Sequence, residues 1–220
     1  MSPRPARFTR EDAVSAAFAL ASAHGAEHVT MRRVAGELGV DPMALYRHFS
    51  ARDELMAAIA DRFWERLELP EESASASWQD YAHALMAGLR AQLGRDPGVI
   101  PIVATHPIGS AAALAAADGA VGALLRTGAP VHPALGDLVN VLVMLTVASA
   151  LGEFAPRAGS PPVDAAAERD GSPSDAAEGE VAMASLPHLG ALMAAGWQAS
   201  HERQFDAAIR AVLAGWTWQP

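Results

Sequence analysis

The sequence predicts an all-α protein in two parts, a three-helix helix-turn-helix domain at the N-terminus and a helical bundle after it. Three observations carry this. Hydrophobic residues make up 51% of the 220 residues while aromatics are only 6%, and alanine, which supplies much of that fraction, loses no side-chain entropy in a helix. Apolar residues recur at helical spacing, and no run alternates as a strand would. Cap residues and glycine or proline stops punctuate the pattern.

The elements follow in order. Thr9 opens the first helix, Thr9–Ala23, with Asp12 in a capping-box arrangement. Val14, Ala17, Phe18 and Ala21 fall on one face, and Gly25 ends it. The second helix, Met31–Leu38, has Thr30 as N-cap, and Met31, Val34, Ala35 and Leu38 keep the i, i+3, i+4, i+7 pattern. Gly39 supplies a left-handed turn residue. Asp41-Pro42 starts a third helix, Pro42–Phe49: Asp caps and Pro takes the first helical position. Leu45 and Phe49 point inward. Ser50 with Asp53 opens a fourth helix of roughly 17 residues. Pro70 and the stretch EESASAS mark a junction, giving domains over residues 1–68 and 69–220.

Beyond the junction, Trp78–Leu93 is helical, with Tyr81, Leu85, Leu89 and Leu93 on one face. Asp96-Pro97 starts a short helix toward Ala104. Ala111–Leu125 and Pro133–Phe154 are further helices. Residues 155–180 are rich in Pro, Gly, Ser and acid, a composition that predicts a flexible loop. Leu186–Gly196 and Glu202–Trp216 close the chain, the last with a stripe of Phe205, Ile209, Val212 and Trp216.

Composition excludes several classes. There is no cysteine, so disulfides, thiolate metal sites and cysteine nucleophiles are out. The start, MSPRPARFTRED, lacks the apolar core of a signal peptide. Leu138–Phe154 is short for a membrane span and contains Asn140 and Glu153, which predicts a buried core or interface helix. These features point to a cytoplasmic protein. No Gly-rich phosphate loop, HExxH or G-x-S-x-G occurs, so no enzyme activity, metal or cofactor is assigned. The net charge is −9, yet residues 1–67 hold nine Arg and nine Asp or Glu. All the net acidity lies downstream, so a nucleic-acid site in the first part must be a focused patch.

Helix, tight Gly turn, short helix is the helix-turn-helix plan. It needs a small residue at the crossing (Ala35), a glycine in the turn (Gly39) and apolar anchors (Val34, Leu38, Val40, Leu45). With these inward, Pro42, Met43, Ala44, Tyr46, Arg47 and His48 face out. Arg can pair with guanine, and Met and Ala can touch thymine methyls. Tyr, His and flanking Arg can hold phosphates. Arg4, Arg7 and Arg10 form either an arm reaching phosphates or the minor groove, or a solubilising tail.

Phe8 to about Leu67 resembles the DNA-binding domain of the tetracycline-repressor (TetR) family of bacterial regulators. The carrying motifs are "VTMRRVAGELGV", "ALYRHF" and "SARDEL". The resemblance implies a homodimer on an inverted-repeat operator. It places Thr30, Met31, Arg32 and Arg33 at phosphates and occasionally a base, Pro42, Met43 and Ala44 at base-reading positions with Arg47 beside them, and Tyr46, His48 and Arg52 at phosphates. "THPIG", the long helix and the ending "FDAAIRAVLAGW" are similar, more weakly, to the C-terminal domain of the tetracycline-repressor branch. That branch binds a magnesium-chelated tetracycline through a His shortly before a Thr-x-Pro turn; here Ile102 or a neighbour stands there and His106 lies inside the turn.

The C-terminal part is therefore expected to bind a small-molecule effector and to dimerise through four helices, two per subunit. Ligand-pocket candidates are Thr105, His106 and Pro107 at the helix break, His83, Met86, Asn140, Met144 and Trp197. The resulting expectation is a homodimeric, effector-released transcriptional repressor. Alternatives are a ligand-independent or activating regulator, and a helical small-molecule binding protein with a vestigial helix-turn-helix.

Overall fold

The computed structural model describes residues 8–155 and 186–218. Among them there are helices and turns and no strand. The helices are α1 (Arg10–His24), α2 (Met31–Glu37), α3 (Pro42–Leu45), α4 (Arg52–Glu65), α5 (Trp78–Arg95), α6 (Ile100–Thr105), α7 (Ala111–Arg126), α8 (Pro133–Phe154), α9 (Pro187–Ala194) and α10 (His201–Gly215). They fall into two compact units: one runs to residue 156 and resumes at Phe205, and the other covers 157–204. The flexible loop expected over 155–180 lies outside the described residues except for Ala155, as do Arg4 and Arg7.

Local chemistry sets the boundaries. Thr9 and Asp12 form the full capping box at α1, and its backbone N–H and hydroxyl bonds from Thr9 hold the Asp12 carboxyl below its ordinary range. Gly39, at φ 64°, closes α2: the Gly39 N–H reaches the Gly36 carbonyl and the Val40 N–H the Ala35 carbonyl, a Schellman stop. Gly128 ends α7 in the same way, through Leu125 and Leu124.

Two boundaries differ from expectation. α3 stops at Leu45 because the next bonds, Arg47 to Ala44 and His48 to Leu45, are of the tighter i→i+3 kind. The N-cap of α4 is Ala51, without a side-chain bond. Ser50 is instead held by Glu54, which accepts from the Ser50 N–H at 2.7 Å and its hydroxyl at 3.0 Å.

In the first unit α1 packs on α2 and α4, and α4 also packs on α6 and α7. α5 packs on α7 and α8, and α6 on α8. One continuous core joins Val14, Phe18, Val34, Leu45, Phe49, Ile59 and Phe63 to Tyr81, Leu89, Leu138, Leu142 and Ile209. The single turn Pro97–Val99 docks against the C-terminal end of α1. There the Ser22 hydroxyl donates to Asp96 at 2.6 Å. On α5, Arg90 pairs with Glu153, and its guanidinium lies 5.2 Å from the ring centres of both Phe154 and Phe205.

α8 is long and apolar enough to cross a membrane by composition, the only such helix among the described residues. It buries one face (Leu135, Leu138, Leu142, Thr146, Val147, Ala150). Its opposite face presents Asn140, Val141, Met144 and Leu151 to solvent. On α10 the buried residues are Phe205, Ile209 and Leu213, with Val212 and Trp216 partly buried at the edge of that stripe. The second unit, by itself, contains α9, closed at Gly196 by a third Schellman stop.

Candidate nucleic-acid interface

The head is built from inside out. Ala35 is fully buried where α2 meets α3, and Val34, Leu45 and Phe49 fill the space beneath. Asp41 caps α3, accepting the Met43 N–H at 2.8 Å. With Leu45 inward, Met43 (68% exposed) and Tyr46 (47%) stand in solvent. Arg47 is also exposed, while Pro42 and Ala44 are half-buried. His48 is half-buried, with its ring 5.0 Å from that of Phe8. Thr30 caps α2 through the Arg33 N–H, which sets Arg32 and Arg33 at the exposed start of that helix.

The arginines of the head divide into two groups. Arg10 pairs with Glu54 and lies over the Phe49 ring at 4.7 Å. Arg62 pairs with Glu11 at 2.7 Å. Arg52 donates through Nε to the Val29 carbonyl at 2.6 Å and through Nη2 to the Ala26 carbonyl at 2.8 Å. Arg32, Arg33 and Arg47 take part in no ion pair among the described residues. Three exposed guanidiniums on α2 and the end of α3 are thus available to phosphates or guanine edges. Arg10, Arg52 and Arg62 fasten the head together.

One expected DNA contact is corrected: Met31 is buried, 7% exposed, because the i, i+3, i+4 stripe carries it into the core. Of the three arginines read as an arm or a tail, Arg10 belongs to α1 and pairs with Glu54. Arg52, expected at a phosphate, spans from α4 to the α1–α2 connection; its side chain is exposed but its donors Nε and Nη2 are engaged.

The expected ligand residues are spread over several elements. Met86 is buried in the core. His83 Nε2 meets Asp206 at 2.6 Å. Asp206 also accepts from Arg210 at 3.0 Å, and these two partners, Arg210 first, hold its carboxyl below the ordinary range. Thr105 is the last residue of α6, and His106 and Pro107 lie in the connection to α7. Asn140 is exposed on α8 and needs no buried partner, and Met144 is 70% exposed beside it. Trp197 lies in the second unit, just past α9.

Two hollows went unforeseen. A groove of about 220 Å³ is bordered by Glu68, Leu69, Gly88, Gln92 and Arg95. A mainly apolar cleft of about 390 Å³ lies between α7 and the start of α8, lined by Val121, Leu125, Val131, His132 and Leu135. His132 caps α8 by accepting the Ala134 N–H at 3.1 Å. The signal was present: His132-Pro133 repeats the cap-then-proline pattern of Asp41-Pro42.

Residues 13–59 match the family of bacterial regulatory proteins of the tetR type. The chain is 29% identical over 143 residues to the HTH-type transcriptional repressor DrrR1 of Streptomyces coeruleorubidus, covering 65% of this chain and 51% of that one. It is 32% identical over 120 residues to an HTH-type transcriptional regulator of Saccharopolyspora erythraea, covering 54% and 50%. The chain thus spans about half the length of the curated relatives it matches. In three dimensions it resembles the TetR family protein ActR of Streptomyces coelicolor, solved in complex with actinorhodin, with a TM-score of 0.73 at 22% identity over 96% of this chain and 97% of that one. Motif, capped geometry and matches converge on one segment: residues 13–59, the helix-turn-helix part of the chain, are similar to the bacterial regulatory proteins of the tetR family.

Proposed function

We propose that this protein is a homodimeric, sequence-specific transcriptional repressor that a small-molecule effector releases from its operator, acting in the cytoplasm and without catalysis of its own. The observation that carries the DNA half is the division of the arginines. Arg32, Arg33 and Arg47 are exposed and outside every described ion pair, on the same helix-turn-helix as the exposed Met43 and Tyr46. α3 enters the major groove, where Met43 and Ala44 touch bases, Arg47 reads or positions, and Thr30, Arg32, Arg33, Tyr46 and His48 hold phosphates. The domains of this reading are residues 1–68 for DNA and 69–220 for ligand and dimer.

The exposed apolar face of α8 supports the dimer, since Val141, Met144 and Leu151 are large hydrophobics on one side of a helix. The effector half is supported by the relative solved with actinorhodin and by the apolar cleft beside His132. An effector acts only through its different affinities for the DNA-binding and released conformations. Selection of the purified protein against random duplex DNA at physiological salt tests the reading. Enrichment of an inverted repeat supports a dimeric repressor. Recovery of no preferred sequence, with or without candidate effectors, refutes it.

A further inference from the structure

The cleft of about 390 Å³ between α7 and the start of α8 has one polar side chain on its border, His132. The other side chains there are aliphatic: Val121 and Leu125 from α7, and Val131, Pro133 and Leu135 from the opposite side. Val131 is 89% exposed, so an aliphatic side chain stands almost wholly in water beside the hollow.

The tautomer of His132 follows from its cap bond. Its Nδ1 accepts the Ala134 N–H at 3.1 Å. A backbone amide can only donate, so Nδ1 presents a lone pair and the neutral ring carries its proton on Nε2. A proton on Nδ1 would face the proton of the amide. Nε2 has no partner among the described residues and is not sealed from solvent. The cap bond and Trp218 hold the ring in place. The Trp218 ring centre lies 5.8 Å from that of His132 and 5.6 Å from that of Trp78.

The helix end itself has little to offer a ligand. Pro133 has no N–H, Ala134 gives its own to the His132 ring, and Leu135 gives its own to the His132 carbonyl at 2.9 Å. No lining residue is a carboxylate, lysine or arginine. Arg126, next to Leu125, is engaged with Glu72 through Nε at 3.0 Å and Nη2 at 2.7 Å. Apolar walls with one fixed N–H donor complement an uncharged molecule that has a single strong acceptor.

We propose that this cleft binds an uncharged, mainly apolar small molecule bearing a carbonyl oxygen, to which the Nε2–H of His132 donates. The inference rests on the effector half of the function proposed above and gives that effector a chemical class and an anchor. α7 also packs on α4, so a molecule held against α7 bears on the helix that follows the helix-turn-helix.

The probes are 2-acetylnaphthalene and 2-ethylnaphthalene, alike in shape and differing in the carbonyl. Equilibrium dialysis against the full chain, without DNA, reads their affinities for wild type, His132→Asp and Gly136→Leu. Aspartate caps a helix as this histidine does, but an ionised carboxylate has no proton to donate. Gly136 borders the cleft. A Cβ there meets nothing within 4 Å, and leucine favours a helix over glycine, so this variant folds with its side chain at the cleft; circular dichroism checks the helix content of both variants.

The ratio of ketone to hydrocarbon affinity should fall about two- to tenfold from wild type to His132→Asp, the net worth of one hydrogen bond. Taking the ratio cancels the different partitioning of the two probes from water. Gly136→Leu should lose both. An unchanged ratio in His132→Asp overturns the donor, and unchanged binding in Gly136→Leu overturns the place. Binding of neither probe to wild type at its solubility limit overturns the proposal whole. The repressor reading is judged apart, by whether the chain holds a selected duplex. Ketone binding at the cleft by a chain that holds no duplex leaves the site standing and removes the repressor; a duplex complex with no ketone bound does the reverse.

Discussion

Gly98 lies close against the C-terminal end of α1. A Cβ built on it would stand 2.1 Å from the Ala21 carbonyl oxygen, 3.0 Å from Gly25 Cα and 3.1 Å from Gly25 N. Ordinary C···O approaches are about 3.3 Å, so the overlap with the carbonyl is roughly 1.2 Å. All three obstacles are backbone, so no side chain can swing aside. In Gly98→Ala, either the end of α1 or the 96–99 turn must move by about an ångström, and the 2.6 Å bond between Ser22 and Asp96 must stretch with it. Overpacking of this kind costs about 1–3 kcal/mol, sometimes more. For a chain of this size each kcal/mol lowers Tm by about 2–4 °C, so the expected fall is about 2–12 °C. The assay is thermal and urea unfolding beside Gly88→Ala. That glycine lies on the exposed side of α5 with its nearest neighbour 4.0 Å away, and alanine there should be neutral or stabilising by about 0.5–1 kcal/mol. If Gly98→Ala unfolds at the wild-type midpoint, the close approach is not what holds the turn against α1, and the reasoning fails.

Arg47→Ala should leave stability within about 0.5 kcal/mol. It should either cost about 1–3 kcal/mol of operator binding at one base pair, or reduce the salt slope by about one, according to whether Arg47 reads a base or holds a phosphate; anisotropy titrations at several salt concentrations distinguish these. Glu54 is held below its ordinary range, first by the Ser50 N–H, then by the Ser50 hydroxyl, with Arg10 adding to it. A lowered carboxyl stabilises above the ordinary value of about 4.3 and loses that contribution as pH falls through the lower folded value. Wild type should therefore exceed Glu54→Gln in urea midpoint at neutral pH, and the gap should close in acid. Met144→Glu on the exposed face of α8 should shift sedimentation from dimer to monomer without unfolding the chain.

Local grammar carried most of the helices. Thr9, Thr30, Asp41, Ser77 and Ser110 all cap through their side chains, and Gly25 and Gly39 take positive φ where stops were expected. The exposed side of α3 was legible for the same reason, since its orientation follows once Leu45 and Phe49 turn inward. What was not legible depends on distant partners. Arg52 looks like a free cation until the Val29 and Ala26 carbonyls, more than twenty residues earlier, are folded against it. Met31 satisfied both an apolar stripe and a DNA-contact motif, and packing decided for the core. Asn140 sits in a helix apolar nearly all round, where periodicity marks no face. Ser50 and Asp53 imitate a cap, yet Glu54 reaches Ser50 first.

Arg90 touches both Phe154, the last residue of α8, and Phe205, where the chain returns to the same unit. One guanidinium on α5 therefore holds the last turn of α8 and an early turn of α10 at once, so two helices far apart in sequence depend on a single side chain for their placement.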